Sequence, residues 1–182
     1  MPMVINFILF QLGWFAGVVG AAWKLEWLAV SSIVLIIVIH VIFLAKDRKA
    51  ELLLVFTAGV VGLLLDSLLI TLGVFTPVNS WSLNNIAPLW LVGIWMLLGT
   101  TLNHSLRWMQ QRYLIAALMG FVFAPLAYWA GQRLGALTFP PDQSPVISLL
   151  IIGICWVIVT PLLIVCSQIL STRNLGTDQS SC

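Results

Sequence analysis

Residues 52–74, LLLVFTAGVVGLLLDSLLITLGV, form an apolar run of 23 residues interrupted by a single acid, Asp66. As a helix this run rises about 34 Å at about 1.5 Å per residue, enough to cross a hydrocarbon core of about 30 Å. The side chain of Asp66 is too short to reach water at either end. A central aspartate costs about 2.5–3.5 kcal/mol on insertion scales. Neighbouring helices must therefore supply a donor, or the group must stay protonated.

The rest of the chain has the same character. It is 61% hydrophobic and 8% charged, against about 45–50% and about 25% in soluble domains. So few charges cannot cover a water-facing surface, and a soluble fold is excluded. The apolar segments are continuous rather than alternating, which argues for helices and against a strand barrel. The expected fold is all-α, a bundle of six transmembrane helices spanning residues 1–170, followed by a polar, disordered tail at 171–182.

The six segments are placed at about 4–22, 26–45, 52–74, 88–106, 113–134 and 147–170. The first is read as a retained helix, because no Lys or Arg precedes its apolar core. Its Gly13 and Gly17 form a GxxxG pair, with Gly20 one turn on, spacing that lets membrane helices approach closely. Trp23 and Trp27 flank Lys24 and Glu26 in a short connection that resembles an interfacial belt. Pro88 opens the fourth segment at a first-turn position. Pro125 falls inside the fifth, where it frees the carbonyl near Phe121. Ala116, Gly120 and Ala124 form a second close-packing face there.

Charge orients the bundle. Six spans put both termini on one side. Lys46, Arg48, Lys49, Arg107, Arg112 and Arg173 fall on that side, and only Lys24 and Arg133 on the other. The positive-inside rule makes both termini cytoplasmic. A net charge of +2 with no basic patch gives no reason to expect a nucleic-acid partner.

Depth then separates two groups of polar residues. Asp66, Trp90, Tyr128, Gln132 and Arg133 fall in the outward half, where segment five can offer Asp66 the Tyr128 phenol or the Arg133 guanidinium. They are the candidate ligand-binding residues, although Asp66 can equally be a structural acid tying two helices together. Asn6, Gln11, His40, Asn103, His104 and Arg107 form a second cluster toward the inner side. Asn103, His104 and Arg107 are spaced to share one helix face. Interfacial roles for His40 and His104 stand beside a functional one.

No catalytic set emerges. Only two histidines are present, and Asp66 lies about half a bilayer from His104, so a His/His/Asp metal site is not supported. Ser105 adjoins His104, but successive helix positions point apart. Cys155 and Cys166 lie eleven residues apart, roughly 16 Å along a helix and beyond bridging range. No cofactor and no metal are expected.

Four stretches carry a resemblance: INFILFQLGWF (5–15), AELLLVFTAGVVGLLLDSLL (50–69), APLWLVGIWMLLGTTLNHSLRW (87–108) and PLAYWAGQRLGA (125–136). They resemble an uncharacterised family of short bacterial multi-pass inner-membrane proteins, a domain-of-unknown-function family. The resemblance implies a bacterial inner membrane, a single family domain and a lipid-related role, and assigns no catalytic residue. The expected function is non-catalytic: binding a membrane lipid or small amphiphile in a polar pocket of the outer half, or assisting a membrane lipid enzyme as its partner. A membrane-embedded lipid-modifying enzyme and a small transporter are the alternatives.

Overall fold

The computed structural model describes residues 2–78 and 85–177, with side chains described for 3–78 and 85–171. The helices are α1 (Pro2–Ala22), α2 (Glu26–Phe43), α3 (Arg48–Thr71), α4 (Leu89–Thr101), α5 (Tyr113–Arg133) and α6 (Pro145–Thr177). Among the described residues, five helices are long and apolar enough to cross a membrane. The bundle is thus the expected helical membrane architecture, with α4 as its short member. The helix assigned to α6 reaches Thr177. Residues 178–182 of the expected tail, the 79–84 part of the loop before α4, and the side chain of Arg173 lie outside the described residues.

α4 has 13 residues and ends at Thr101 rather than near residue 106. The reason is local. Thr100 and Thr101 fold their hydroxyls back onto the carbonyls of Leu97 and Leu98, at 2.7 and 2.6 Å, a bonding mode that bends helices. The backbone then turns off the axis, with the amides of both His104 and Leu106 on the carbonyl of Thr101. Asn103, His104 and Arg107 therefore do not share the helix face that their spacing suggested. A single 3₁₀ turn, Arg107–Met109, leads on to α5.

Short as it is, α4 is the hub. It packs against α1, α2 and α3, α1 pairs with α2, and α5 pairs with α6, which also touches α3. Trp90, Leu91, Trp95 and Leu97 of α4 are all buried. The outward faces of the long helices are apolar and exposed, for example Phe56 and Leu64 on α3, Leu114 and Leu118 on α5, and Ile154 and Ile158 on α6. In water such a surface would be a broad aggregation patch; in lipid it matches its solvent.

Two close approaches set the helix spacing. Gly62 of α3 lies against the indole of Trp95, so that any Cβ at position 62 would overlap the ring. At Gly120 of α5 a Cβ would meet the carbonyl oxygen of Trp156 at 2.6 Å. Ala116 and Ala124 are buried on the same stretch of α5. That helix runs unbroken through Pro125, and the carbonyl of Phe121 lies beside Gly153 of α6. Gly13 and Gly17 face Leu97 and Ile94 of α4 as well as side chains of α2.

The ends are closed by specific devices. Asp47 caps α3, its Oδ1 accepting from the amides of Lys49 and Ala50 at 3.0 and 3.1 Å. Gly73 and Gly135, with φ of 68° and 86°, end α3 and α5 in the left-handed region that glycine adopts without strain. The two following loops join in a short antiparallel pair, β1 (Thr76–Pro77) with β2 (Leu137–Thr138). This pair closes the end opposite the basic turns.

Candidate functional site

The first polar centre surrounds Asp66, which is fully buried on α3. Trp95 of α4 donates its indole N–H to Oδ2 at 2.7 Å, and Tyr128 of α5 donates its hydroxyl to Oδ1. Trp95 in turn stacks on Trp156 of α6 at 4.4 Å, and Phe75 meets Tyr128 edge-on at 5.1 Å. One carboxyl group thus gathers α3, α4 and α5, with α6 behind. Trp90 is buried but gives Asp66 no hydrogen bond. Gln132 is half-buried near the end of α5, and Arg133 is exposed with its guanidinium 5.7 Å above the Trp129 ring. Of the five residues proposed for this centre, the structure joins Asp66 and Tyr128. Trp95 is the partner that sequence reasoning missed. Nothing in the spacing separates it from the other eight tryptophans; its selection depends on the α3–α4 crossing at Gly62.

The second centre lies at the end carrying the basic turns. Asn6 of α1 is held on both sides: its Nδ2 donates to the carbonyl of Thr100 at 3.0 Å, and its Oδ1 accepts from the Ser105 hydroxyl at 2.7 Å and the Ser105 amide at 3.2 Å. These backbone partners fix the orientation of the amide. Its Nδ2 therefore also donates to Nδ1 of His40, 3.2 Å away. That leaves the proton of a neutral His40 on Nε2, which faces Glu51 Oε1 at 2.8 Å. Asn103 donates to Glu51 Oε2 at 3.1 Å, and Nε2 of His104 lies 3.6 Å from Oε1. The two imidazoles meet edge to face at 4.7 Å. Burial pushes the His104 imidazole below the ordinary histidine value; Glu51 pulls it back up, while His40, Lys46 and Arg107 add to the lowering.

Of the six residues proposed for this cluster, the structure links Asn6, His40, Asn103 and His104. Gln11 faces a cavity instead, and Arg107 is exposed. Glu51 is the member missing from the sequence reading. It stands in the charged run 46–51, which reads as a solvated turn, yet it lies in the first turn of α3 and is buried.

Between α1 and α5, which face each other across α4 and α6, lies a cavity of about 670 Å³. It runs from Trp108 and Met109 at the basic end to Gly131 and Leu137 at the other. Its walls are almost wholly apolar, with Phe10 and Trp14 of α1 opposite Phe123 and Ala127 of α5. The few polar contributors come from the two centres or stand alone. Tyr128 and Trp95 line it in front of Asp66, Ser105 lines it beside Asn6, and the Trp90 indole N–H is buried without a partner among the described residues.

Fold and site together define an integral membrane bundle with an apolar groove between its first and fifth helices. Residues 3–162 match the family described as "Protein of unknown function (DUF2878)", and the chain belongs to that family. No curated protein and no solved structure matches it.

Proposed function

We propose that this protein holds a membrane lipid or similar amphiphile in the α1–α5 groove, with the apolar chain along the aromatic walls and an oxygen acceptor at Trp90. The observation that carries this reading is Trp90, a residue of the groove wall that is 1% exposed and whose Nε1–H has no protein acceptor among the described residues. A buried donor left unmade costs about 1–3 kcal/mol, and a ligand carbonyl or phosphate oxygen removes that cost. Ligand sites of this kind are mostly apolar with a few placed polar groups. The acceptor sits at the end where α4 begins, near Asp66, while the chain points toward Trp108 and Met109. Asp66 itself is enclosed, so its part is to hold Trp95 and Tyr128 in the wall.

Trp90→Phe tests the reading: it keeps an aromatic side chain and removes the unpaired donor together with the five-membered part of the indole. Thermal stability should fall, because the smaller ring leaves a void at a fully buried position. Lipid co-purifying by native mass spectrometry should fall about tenfold in retention, the equivalent of about 1.4 kcal/mol. Unchanged lipid occupancy in the folded variant contradicts the proposal.

A second reading, a membrane-embedded lipid-modifying enzyme, draws on the position of Ser105, which joins the groove wall to the His40–Glu51–His104 centre through Asn6. It requires that deletion alter the lipid profile and that His104→Ala fail to restore it.

A further inference from the structure

We propose that His40, Glu51 and His104 form a binding site for a zinc-class divalent cation. The three residues come from α2, α3 and the turn after α4, and their ligand atoms all lie within 4.8 Å of one another. A tetrahedral centre with bonds of about 2.0–2.1 Å places its ligand atoms about 3.3 Å apart. The two separations from Glu51 Oε1, 2.8 Å to His40 and 3.6 Å to His104, bracket that value. The third separation, between the two imidazoles, is within 4.8 Å, so the rings have to close toward each other to complete the geometry.

A purely structural hydrogen-bond knot accounts for His40 and Glu51 but not for His104. The His104 nitrogen stops just beyond hydrogen-bond range of the carboxylate. A cation between the rings gives all three groups a common partner. His104 is also the only one of the three with appreciable exposure, which gives the ion a route in. Two imidazoles and one carboxylate suit zinc, cobalt or nickel rather than the oxygen-seeking magnesium or calcium. Lys46 and Arg107 act on His104 as positive charges, so bonding strength, rather than field attraction, has to hold the ion.

The outer shell is partly in place. Asn103 already fixes Glu51 through Oε2. Asn6 has to move. In the metal-free site it donates to Nδ1 of His40, and Nε2 carries the ring proton. Loading shifts that proton from Nε2 to Nδ1, and the amide turns to present Oδ1 to it, giving up its bonds to Thr100 and Ser105. Glu51 exchanges a hydrogen bond for a metal bond. Because Ser105 lines the groove, loading is felt at the inner end of the lipid path.

The test uses the full chain in detergent titrated with cobalt(II), read by visible d–d absorption and by bound-metal stoichiometry. The expected result is one equivalent with tetrahedral intensity. His104→Ala, whose ring makes no hydrogen bond in the network, should weaken binding by at least about a hundredfold, beyond the 10–100-fold loss typical of an outer-shell change. Glu51→Gln serves if His104→Ala does not fold. Asp142→Asn, on an exposed loop, should bind as the unaltered chain does. Absence of the tetrahedral spectrum overturns the site. So does cobalt binding that persists at unaltered affinity in a folded His104→Ala or Glu51→Gln protein.

Discussion

At the scale of single residues, Asp66 shows how a buried acid is made tolerable. Its two oxygens accept from donors on two different helices, Trp95 and Tyr128. Removing one donor leaves a carboxyl oxygen without its partner in an interior that water does not reach, at a cost of about 1–3 kcal/mol. Tyr128→Phe is therefore expected to lower stability by that amount, measured by thermal unfolding in detergent, while leaving cobalt binding at the other centre intact. An unaltered melting temperature would show that the bond contributes nothing. The acid was legible in the sequence because it is alone in an apolar run, and Tyr128 because its depth matches. Trp95 was not legible, since an indole has no depth signature among nine. Glu51 was hidden for the opposite reason. It stands among five other residues of a charged turn, and only the position of α3 under His40 and His104 reveals that it is buried.

At the scale of elements, the central fact is the short α4 and its fit to α3. Five helix positions could be read from hydropathy alone, and so could the existence of α4. Its end could not, because no Gly or Pro follows Thr101 before α5 and the stop is made by two threonine hydroxyls returning to their own helix. That early stop swings Asn103, His104 and Ser105 inward to form the second centre. The α3–α4 contact is similarly local. Gly62→Val should push Trp95 off its seat and cost about 1–3 kcal/mol as an overpacked interface. It should also reproduce part of the Tyr128→Phe phenotype, because Trp95 leaves Asp66 when it leaves Gly62. Loss of stability equal to or greater than that of Tyr128→Phe, read by the same thermal unfolding, checks this. A melting temperature at or above that of the unaltered chain contradicts it.

At the scale of the whole molecule, the bundle divides into two packed groups. α1, α2, α3 and α4 make one, and α5 with α6 makes the other, joined where α3 meets α6 and where Asp66 meets Tyr128. The groove is the gap that this arrangement leaves between α1 and α5. No sequence pattern announced it, since its lining side chains are ordinary apolar residues that lipid-facing positions also use. What the sequence did announce was polar groups at matching depths; of the outer group, Trp90 and Tyr128 stand in the groove wall and Asp66 behind it, while Gln132 and Arg133 are not part of the lining. A structure of the protein in lipid nanodiscs tests the groove most directly. The account predicts an elongated density between α1 and α5, passing Phe10, Trp14 and Phe123, with an oxygen-bearing end beside Trp90. Helices α1 and α5 packed directly on each other, with Trp90 hydrogen-bonded to protein and no room for a chain, would contradict it.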